Sequence, residues 1–165
     1  MLWTIAARSA VVAVLCMLLT GFAPAFQFTD EVGRFSAIFP AEPSLGKDEG
    51  MSDSGPHVHY SWTLEQEKRV FAVIFTEYSR RIAKNYDKNV KSLLDQGAKL
   101  LRQTTIDLGG VDGREIYTEL PDREVLRQRM FLVGNRLYQV IYQGPFGTES
   151  REDVETFMQS FQFLK

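Results

Sequence analysis

Cysteine occurs once in 165 residues and histidine twice. The cysteine, Cys16, lies inside an apolar leader, so the chain after Ala25 has no thiol: no disulfide, no thiolate nucleophile and no cysteine ligand for zinc. With His57 and His59 as the only imidazoles, any Ser-His-Asp arrangement must use one of them, and no G-x-S-x-G elbow is present. A phosphate loop and a dinucleotide fingerprint are also missing, because "GGVDG" at 109–113 lacks both the spacing and the helix that should follow. Acids cluster at Glu119, Asp122 and Glu124, but they flank a turn, where carboxylates stay solvated rather than forming an acid/base couple. No catalytic residue and no cofactor is therefore expected. After the leader, 18 basic residues face 21 acidic ones, a net charge of −3, which gives no drive toward nucleic acid or anionic lipid.

What is present begins with the leader, "MLWTIAARSAVVAVLCMLLTGFAPA". One positive charge at Arg8, fourteen apolar or small residues from Ala10 to Ala23, and Ala23-Pro24-Ala25 follow the plan of a secretory signal cleaved after Ala25. The apolar run is shorter than the ~20 residues that cross a bilayer as a helix. Membrane contact is thus expected only through this segment before cleavage. Cys16 follows "AVL" and precedes more apolar sequence, so it reads as part of the signal core rather than as a lipid-attachment point. Residues 26–165 are then one domain, about 140 residues, large enough to bury well over half of its unfolded surface.

Along that domain, "FQF" and "RFSAIFP" flank a turn at Asp30 to Gly33 and predict a hairpin ended by Pro40. Residues 41–56 carry few large apolar side chains and read as a surface loop. In "HVHYSWTLEQ", Val58, Tyr60, Trp62 and Leu64 alternate with His57, His59, Ser61 and Thr63, the pattern of a half-buried strand. "RVFAVIFTEYS" is apolar on both faces, as in a central strand, and its short connection makes it an antiparallel partner. From Asn85 to Arg102 the period changes: Val90, Leu93, Leu94, Gly97 and Leu101 share one helical stripe. Strands are expected at "TTIDL", "REIYTEL", "EVLRQRMFLV" and "RLYQVIYQ", the last two joined by Gly134-Asn135. A second helix is expected in "TESREDVETFMQSF", with Ser150 as N-cap and a stripe of Val154, Phe157, Met158 and Phe161.

The hairpin around Gly134-Asn135 raises the functional question. One of its faces carries Leu126, Met130, Leu132, Leu137 and Ile141, a core pattern. The other carries Phe131, Val133, Tyr138, Val140 and Tyr142, interrupted by Arg127, Arg129 and Arg136. Either the second helix covers these rings while the arginine stems lie along their edges, or the face is a shallow patch for an anionic ligand or an acidic partner. In the second case Arg127, Arg129, Tyr138 and Tyr142 are the binding residues, with the guanidinium groups as bidentate donors. His57 and His59 share a strand face and could ligate one metal, but two ligands are too few for a dedicated zinc site.

"VDGREIYTEL", the Arg-bearing "LRQRMFLV", the "GNRLYQV" hairpin and the terminal "FMQSFQF" together resemble the PsbP-like family, whose founding member is an extrinsic lumenal subunit of photosystem II. The resemblance spans roughly residues 105 to 163, with "FSAIFPAEP" as N-terminal support. It implies an α+β fold in which an antiparallel β-sheet is flanked by helices on both faces, an α/β/α sandwich, and a non-catalytic, secreted, protein-binding role. It transfers no functional residue. The expected function is that of an exported accessory protein, periplasmic or extracellular, which contacts an envelope protein or a small ligand without turning it over. A cryptic hydrolase and a metal-holding protein using His57 and His59 are the alternatives.

Overall fold

Residues 25–165 are described by a computed structural model, so the expected signal, apart from Ala25, lies outside the described residues. Two runs of hairpin-connected strands supply most of the structure. The first is β3 (Ser44–Ser52), β4 (Gly55–Gln66) and β5 (Arg69–Tyr78); the second is β6 (Lys99–Leu108), β7 (Val111–Glu119), β8 (Glu124–Val133) and β9 (Arg136–Pro145). Antiparallel pairing of β5 with β9 joins them into one seven-stranded sheet of order β3-β4-β5-β9-β8-β7-β6. A separate three-stranded sheet contains β1 (Phe26–Asp30), β2 (Phe35–Phe39) and the short β10 (Gln162–Phe163), with β2 in the centre. Helix α1 (Tyr86–Asp95) precedes β6, and α2 (Glu152–Ser160) precedes β10. The fold is thus α+β and predominantly antiparallel. None of its described helices is long and apolar enough to cross a membrane.

The predicted β8–β9 hairpin forms in the expected register, Val133 opposite Arg136 and Leu132 opposite Leu137. Its turn has a positive φ of 63° at Gly134, which a residue without a Cβ adopts at no steric cost.

Three expectations change. Residues 44–52 are not a loop but the edge strand β3, paired with β4 from Ser44–Thr63 to Ser52–Gly55. Its side chains are mostly exposed, and Lys47, Asp48 and Glu49 on an open edge are the charges that discourage further strand addition. Residues 85–102 are not one helix. Gly97 has a φ of 89°, its N–H donates to the Leu94 carbonyl (3.0 Å) and the Ala98 N–H donates to Leu93 (3.1 Å), the paired bonds of a Schellman helix stop. Leu101 therefore lies on β6, at a register irregularity. Finally, the N-cap of α2 is Arg151, not Ser150, and no side chain caps it; Glu152, Asp153 and Glu155 in the first turn favour the positive end of the helix dipole instead.

The core is unequally divided between the two faces of the large sheet. On one face Trp62, Phe71, Val73, Phe75, Phe131, Tyr138, Val140 and Tyr142 pack under α2 and the small sheet, through Phe35, Phe39, Val154, Phe157, Met158 and Phe161. Ring contacts such as Phe39 to Phe157 (4.9 Å) and Phe35 to Trp62 (5.0 Å) link the three layers. The other face carries the smaller cluster of Tyr86 and Val90 of α1 on Ile116 and Met130, with Leu93, Leu132 and Leu137 at its border. Helix α2 thus covers the aromatic face of the β8–β9 hairpin, the first of the two readings of that face, although the guanidinium groups of Arg127 and Arg129 meet carboxylates there. The face with arginines holds the principal core, because bulky rings fill the space beneath a whole helix and a second sheet.

Gly97→Ala is expected to lower stability by about 1–2 kcal/mol, since an L-residue is strained at this φ; in a helix interior the same change would be stabilising by about 1 kcal/mol. Chemical denaturation distinguishes the two by sign.

Candidate functional site

Arg127 and Arg129 emerge from β8 on the face that α2 covers, opposite Tyr117 and Glu115 of β7. Arg127 is 3% exposed. Its Nε donates to Glu115 Oε1 (3.1 Å), Nη1 to Glu155 Oε1 (2.6 Å) and to the Glu149 carbonyl (3.0 Å), and Nη2 to Glu155 Oε2 (3.3 Å). Arg129 donates from Nε to the same Glu115 Oε1 (2.9 Å) and from Nη1 to the Met158 carbonyl (2.7 Å) near the end of α2. Two cations thus meet two carboxylates, and the Arg127 guanidinium lies 5.0 Å from the centre of the Tyr117 ring. Burial alone would disfavour the Arg127 charge, but the Glu155 hydrogen bond and the Glu115 charge outweigh it and hold the group more firmly cationic. Burial alone would likewise raise the Glu155 carboxyl; Arg127 outweighs it and holds Glu155 below the usual carboxylate range.

The two tyrosines are similarly engaged. Tyr138, 3% exposed, donates to the Gly33 carbonyl (2.8 Å) in the β1–β2 turn, and the wholly buried Tyr142 shares a 2.6 Å hydrogen bond with the Thr148 hydroxyl. Burial raises both phenols, so they stay neutral. Gly33 permits the first contact: a Cβ there would lie 2.6 Å from the Phe75 ring. All four side chains expected to bind a ligand or partner, Arg127, Arg129, Tyr138 and Tyr142, are therefore engaged inside the fold. Four of the five Arg127 donors are used by the protein itself, and α2 lies where an anionic ligand would have to approach.

His57 and His59 share the opposite face of β4. His59 Nδ1 is 3.0 Å from the Thr76 hydroxyl, and its pKa is lowered by burial and then by the neighbouring His57, with Asp48 acting weakly the other way. His57 Nδ1 is buried and has no hydrogen-bond partner. No group of three His, Cys, Asp or Glu side chains able to hold a metal ion occurs among the described residues.

A cleft of about 550 Å³ lies beside the start of α2. One of its carboxylates, Asp153, is already paired with Arg69 and Arg151, and its rim includes Ala25, where the described chain begins. A second cleft, about 430 Å³, opens between α1 and the sparsely covered face of the sheet. Tyr78, Asn89, Gln128, Leu137, Gln139 and Ile141 line it, and no Asp, Glu, Lys or Arg does. Gln128 is 5% exposed, yet its amide makes no hydrogen bond to the described protein, and neither does that of the half-buried Gln139. The Asn89 Nδ2 reaches only the Met130 sulfur at 3.3 Å. The buried side-chain nitrogens left without a partner among the described residues are instead His57 Nδ1 and Arg114 Nε. Sequence reasoning passed over Gln128 and Gln139. The available signal was a glutamine in step with Leu126, Met130 and Leu132 on a central strand, and another in step with Leu137 and Ile141.

Arg127→Ala is expected to destabilise the fold by about 3 kcal/mol, because Glu155 and Glu115 would lose a partner in a desolvated site; urea denaturation measures it. Glu155 also sets a pH dependence. Its folded pKa is depressed, so its contribution is complete above the unfolded carboxylate value of about 4.3 and is lost as the pH falls through the lower folded value. Glu155→Gln is accordingly expected to flatten the fall in thermal midpoint on the acid side, leaving the alkaline side unchanged.

No protein-family model matches the chain, and no curated protein matches it in sequence. Among solved structures, cyanobacterial PsbP (CyanoP) from Synechocystis sp. PCC 6803 superposes with a TM-score of 0.59. The match covers 87% of this chain and 95% of that one at 15% sequence identity. The architecture described above, a seven-stranded antiparallel sheet with α2 and a small second sheet on one face, is thus a PsbP-like fold.

Proposed function

We propose that this chain is a non-enzymatic, exported accessory protein that binds a partner or small ligand at the α1 side of its large sheet. One observation carries the reading: the desolvated charges cancel one another inside the fold, while the open cleft on the α1 side is lined by neutral side chains, Asn89, Gln128 and Gln139 among them. A catalytic site needs an acid, base or nucleophile poised near its reacting atoms. The cleft offers instead neutral donors and acceptors above the aliphatic side chains of Leu93, Leu137 and Ile141, the lining of a recognition site.

Strand parity supports a layered version of the fold, with α2 on one face of the large sheet and α1 over part of the other. The short α1, ten residues, covers only part of its face and leaves a cleft beside it, which supports contact with a partner there. The leader supports export to the periplasm or beyond, with membrane contact confined to residues 1–25. The net negative charge of residues 26–165 supports a partner other than nucleic acid.

Replacing Gln139 by Arg puts an unpaired cation into the cleft, where desolvation disfavours an uncharged occupant's approach. An envelope component retained by the wild-type protein is expected to be lost by this variant while circular dichroism and thermal midpoint stay near wild-type values. Retention at wild-type yield would remove the cleft from the reading, and turnover of any substrate in a broad hydrolase panel above background would remove the non-enzymatic assignment.

A further inference from the structure

We infer that the open β6 edge of the large sheet pairs antiparallel with the β6 edge of a second copy of this chain, so that two seven-stranded sheets become one. The inference goes beyond the binding reading above and stands apart from it, since no residue of β6 lines the α1-side cleft.

The large sheet ends in two edges, and they are unlike. Strand β3 carries Lys47, Asp48 and Glu49 in succession between two glycines, a charged and poorly β-forming edge that resists pairing. Strand β6 is ten residues long, has Asp107 as its single acid, and contains the β-branched run Thr104-Thr105-Ile106. It pairs with β7 on one side, and no described strand lies on the other.

The turn that joins β6 to β7 identifies the free backbone groups. Gly109 and Gly110 have φ values of 63° and 88°, the two positive angles of a two-residue type I′ hairpin. Such a turn closes on a hydrogen-bonded pair, here Leu108 with Val111, and bonded pairs then alternate with unbonded ones along the ladder. Ile106, Thr104 and Arg102 therefore share bonds with β7, whereas the N–H and C=O groups of Asp107, Thr105 and Gln103 point outward. Only another extended chain, with the same two-residue spacing, satisfies all of them.

The charges of β6 select a second copy as that chain. Lys99 and Arg102 stand toward its start and Asp107 toward its end, so antiparallel pairing sets the basic end of one strand beside the acidic end of the other. With Thr105 on the two-fold axis, the outward groups meet one another and every opposite pair is compatible: Gln103 with Asp107, Thr104 with Ile106, Arg102 with Leu108, and Thr105 with its own counterpart. The same register brings the exposed Leu100 and Leu101, 36% and 41% accessible, beside the Gly109-Gly110 turn of the second copy. A Cβ at either glycine would meet nothing within 4 Å, so the turn has room for them. Leucines that face solvent in one copy are thereby covered in two.

The test is sedimentation of the full chain over a concentration series, with backbone amide exchange followed by NMR. A dimer is expected, with a dissociation constant on the order of 10 μM for contact through one strand of each copy. Exchange at Gln103, Thr105 and Asp107 should slow as concentration rises, while Arg102, Thr104 and Ile106 are protected already at dilution. Thr105→Pro removes an outward N–H and leaves the β7 ladder intact. It is expected to weaken the dimer about tenfold, through the two hydrogen bonds lost across the axis, with the thermal midpoint of the dilute monomer near the wild-type value. Asp107→Asn keeps the oxygen that accepts from the Gly110 N–H (3.0 Å) and is expected to reduce the salt dependence of association. A chain that stays monomeric at ~1 mM, well above that dissociation constant, would overturn the inference. So would a dimer that keeps its affinity in Thr105→Pro, which would place association elsewhere, the leader included. Slowing of the three outward amides by an acetylated Glu-Val-Glu-Val-Glu-Val peptide, in a chain that remains monomeric, would overturn the second copy as occupant and make the edge a site for another protein's strand.

Discussion

A single guanidinium, that of Arg127, fixes the relation between α2 and the large sheet. It lies in a central strand, under a helix, at a depth where an uncompensated charge would cost several kcal/mol. Such a group is tolerated only when carboxylates meet it with good geometry, and these come from two directions: Glu115 on β7 and Glu155 on the first turns of α2. Because a buried ion pair constrains position more than it adds net stability, its main consequence is register. Helix α2 can slide neither along the sheet nor around its own axis without stranding a charge. The Arg129 bond to the Met158 carbonyl reinforces this near the other end of the helix.

With α2 pinned, the principal core follows. Phe157 and Phe161 are set against the sheet, and β10 runs back from the end of the helix to pair with β2 at Gln162–Ser36 and Phe163–Phe35. The Ser160 hydroxyl, accepting from Ile38 N–H at 2.7 Å, joins the helix end to the same strand. One face of the sheet is thereby closed by aromatic packing and paired charge. The other depends on α1, which a Schellman stop at Gly97 ends after Asp95. A helix this short covers Ile116, Met130 and their neighbours but leaves Gln128, Gln139 and Ile141 beside an open cleft. The open cleft therefore lies on the less aromatic face, away from the arginines that a reading of residue types would favour.

Much of the fold was legible in the chain. Alternation in "HVHYSWTLEQ", the two-faced apolar run of "RVFAVIFTEYS" and the Gly134-Asn135 turn each encode a local conformation through side-chain period or backbone sterics, and β4, β5, β8 and β9 formed accordingly. Less legible were β3 and the extent of α1. A solvent-exposed edge strand needs no apolar alternation, since only its backbone is engaged, so "SLGKDEGMS" has the composition of a loop. Leu101 fell on the α1 stripe by spacing alone, whereas Gly97 ends the helix before it through a conformation that spacing does not report. The site was less legible still: Arg127 and Gln128 are adjacent, and which of them meets water depends on which face receives the longer helix.

Residue order by itself determined the strands, the hairpin register, the presence of two amphipathic helices and the absence of thiol chemistry after the leader. Those properties depend on neighbours within a few positions, through φ/ψ preference and side-chain period. Only the tertiary structure decided which face of the large sheet became the main core, that the N-terminal hairpin forms a second sheet with β10, and that the arginines are internal while Gln128 borders a cleft. These outcomes rest on contacts between segments far apart in the chain, such as Glu115 with Arg127 and Arg127 with Glu155, where the cost of burying charge selects one arrangement of layers.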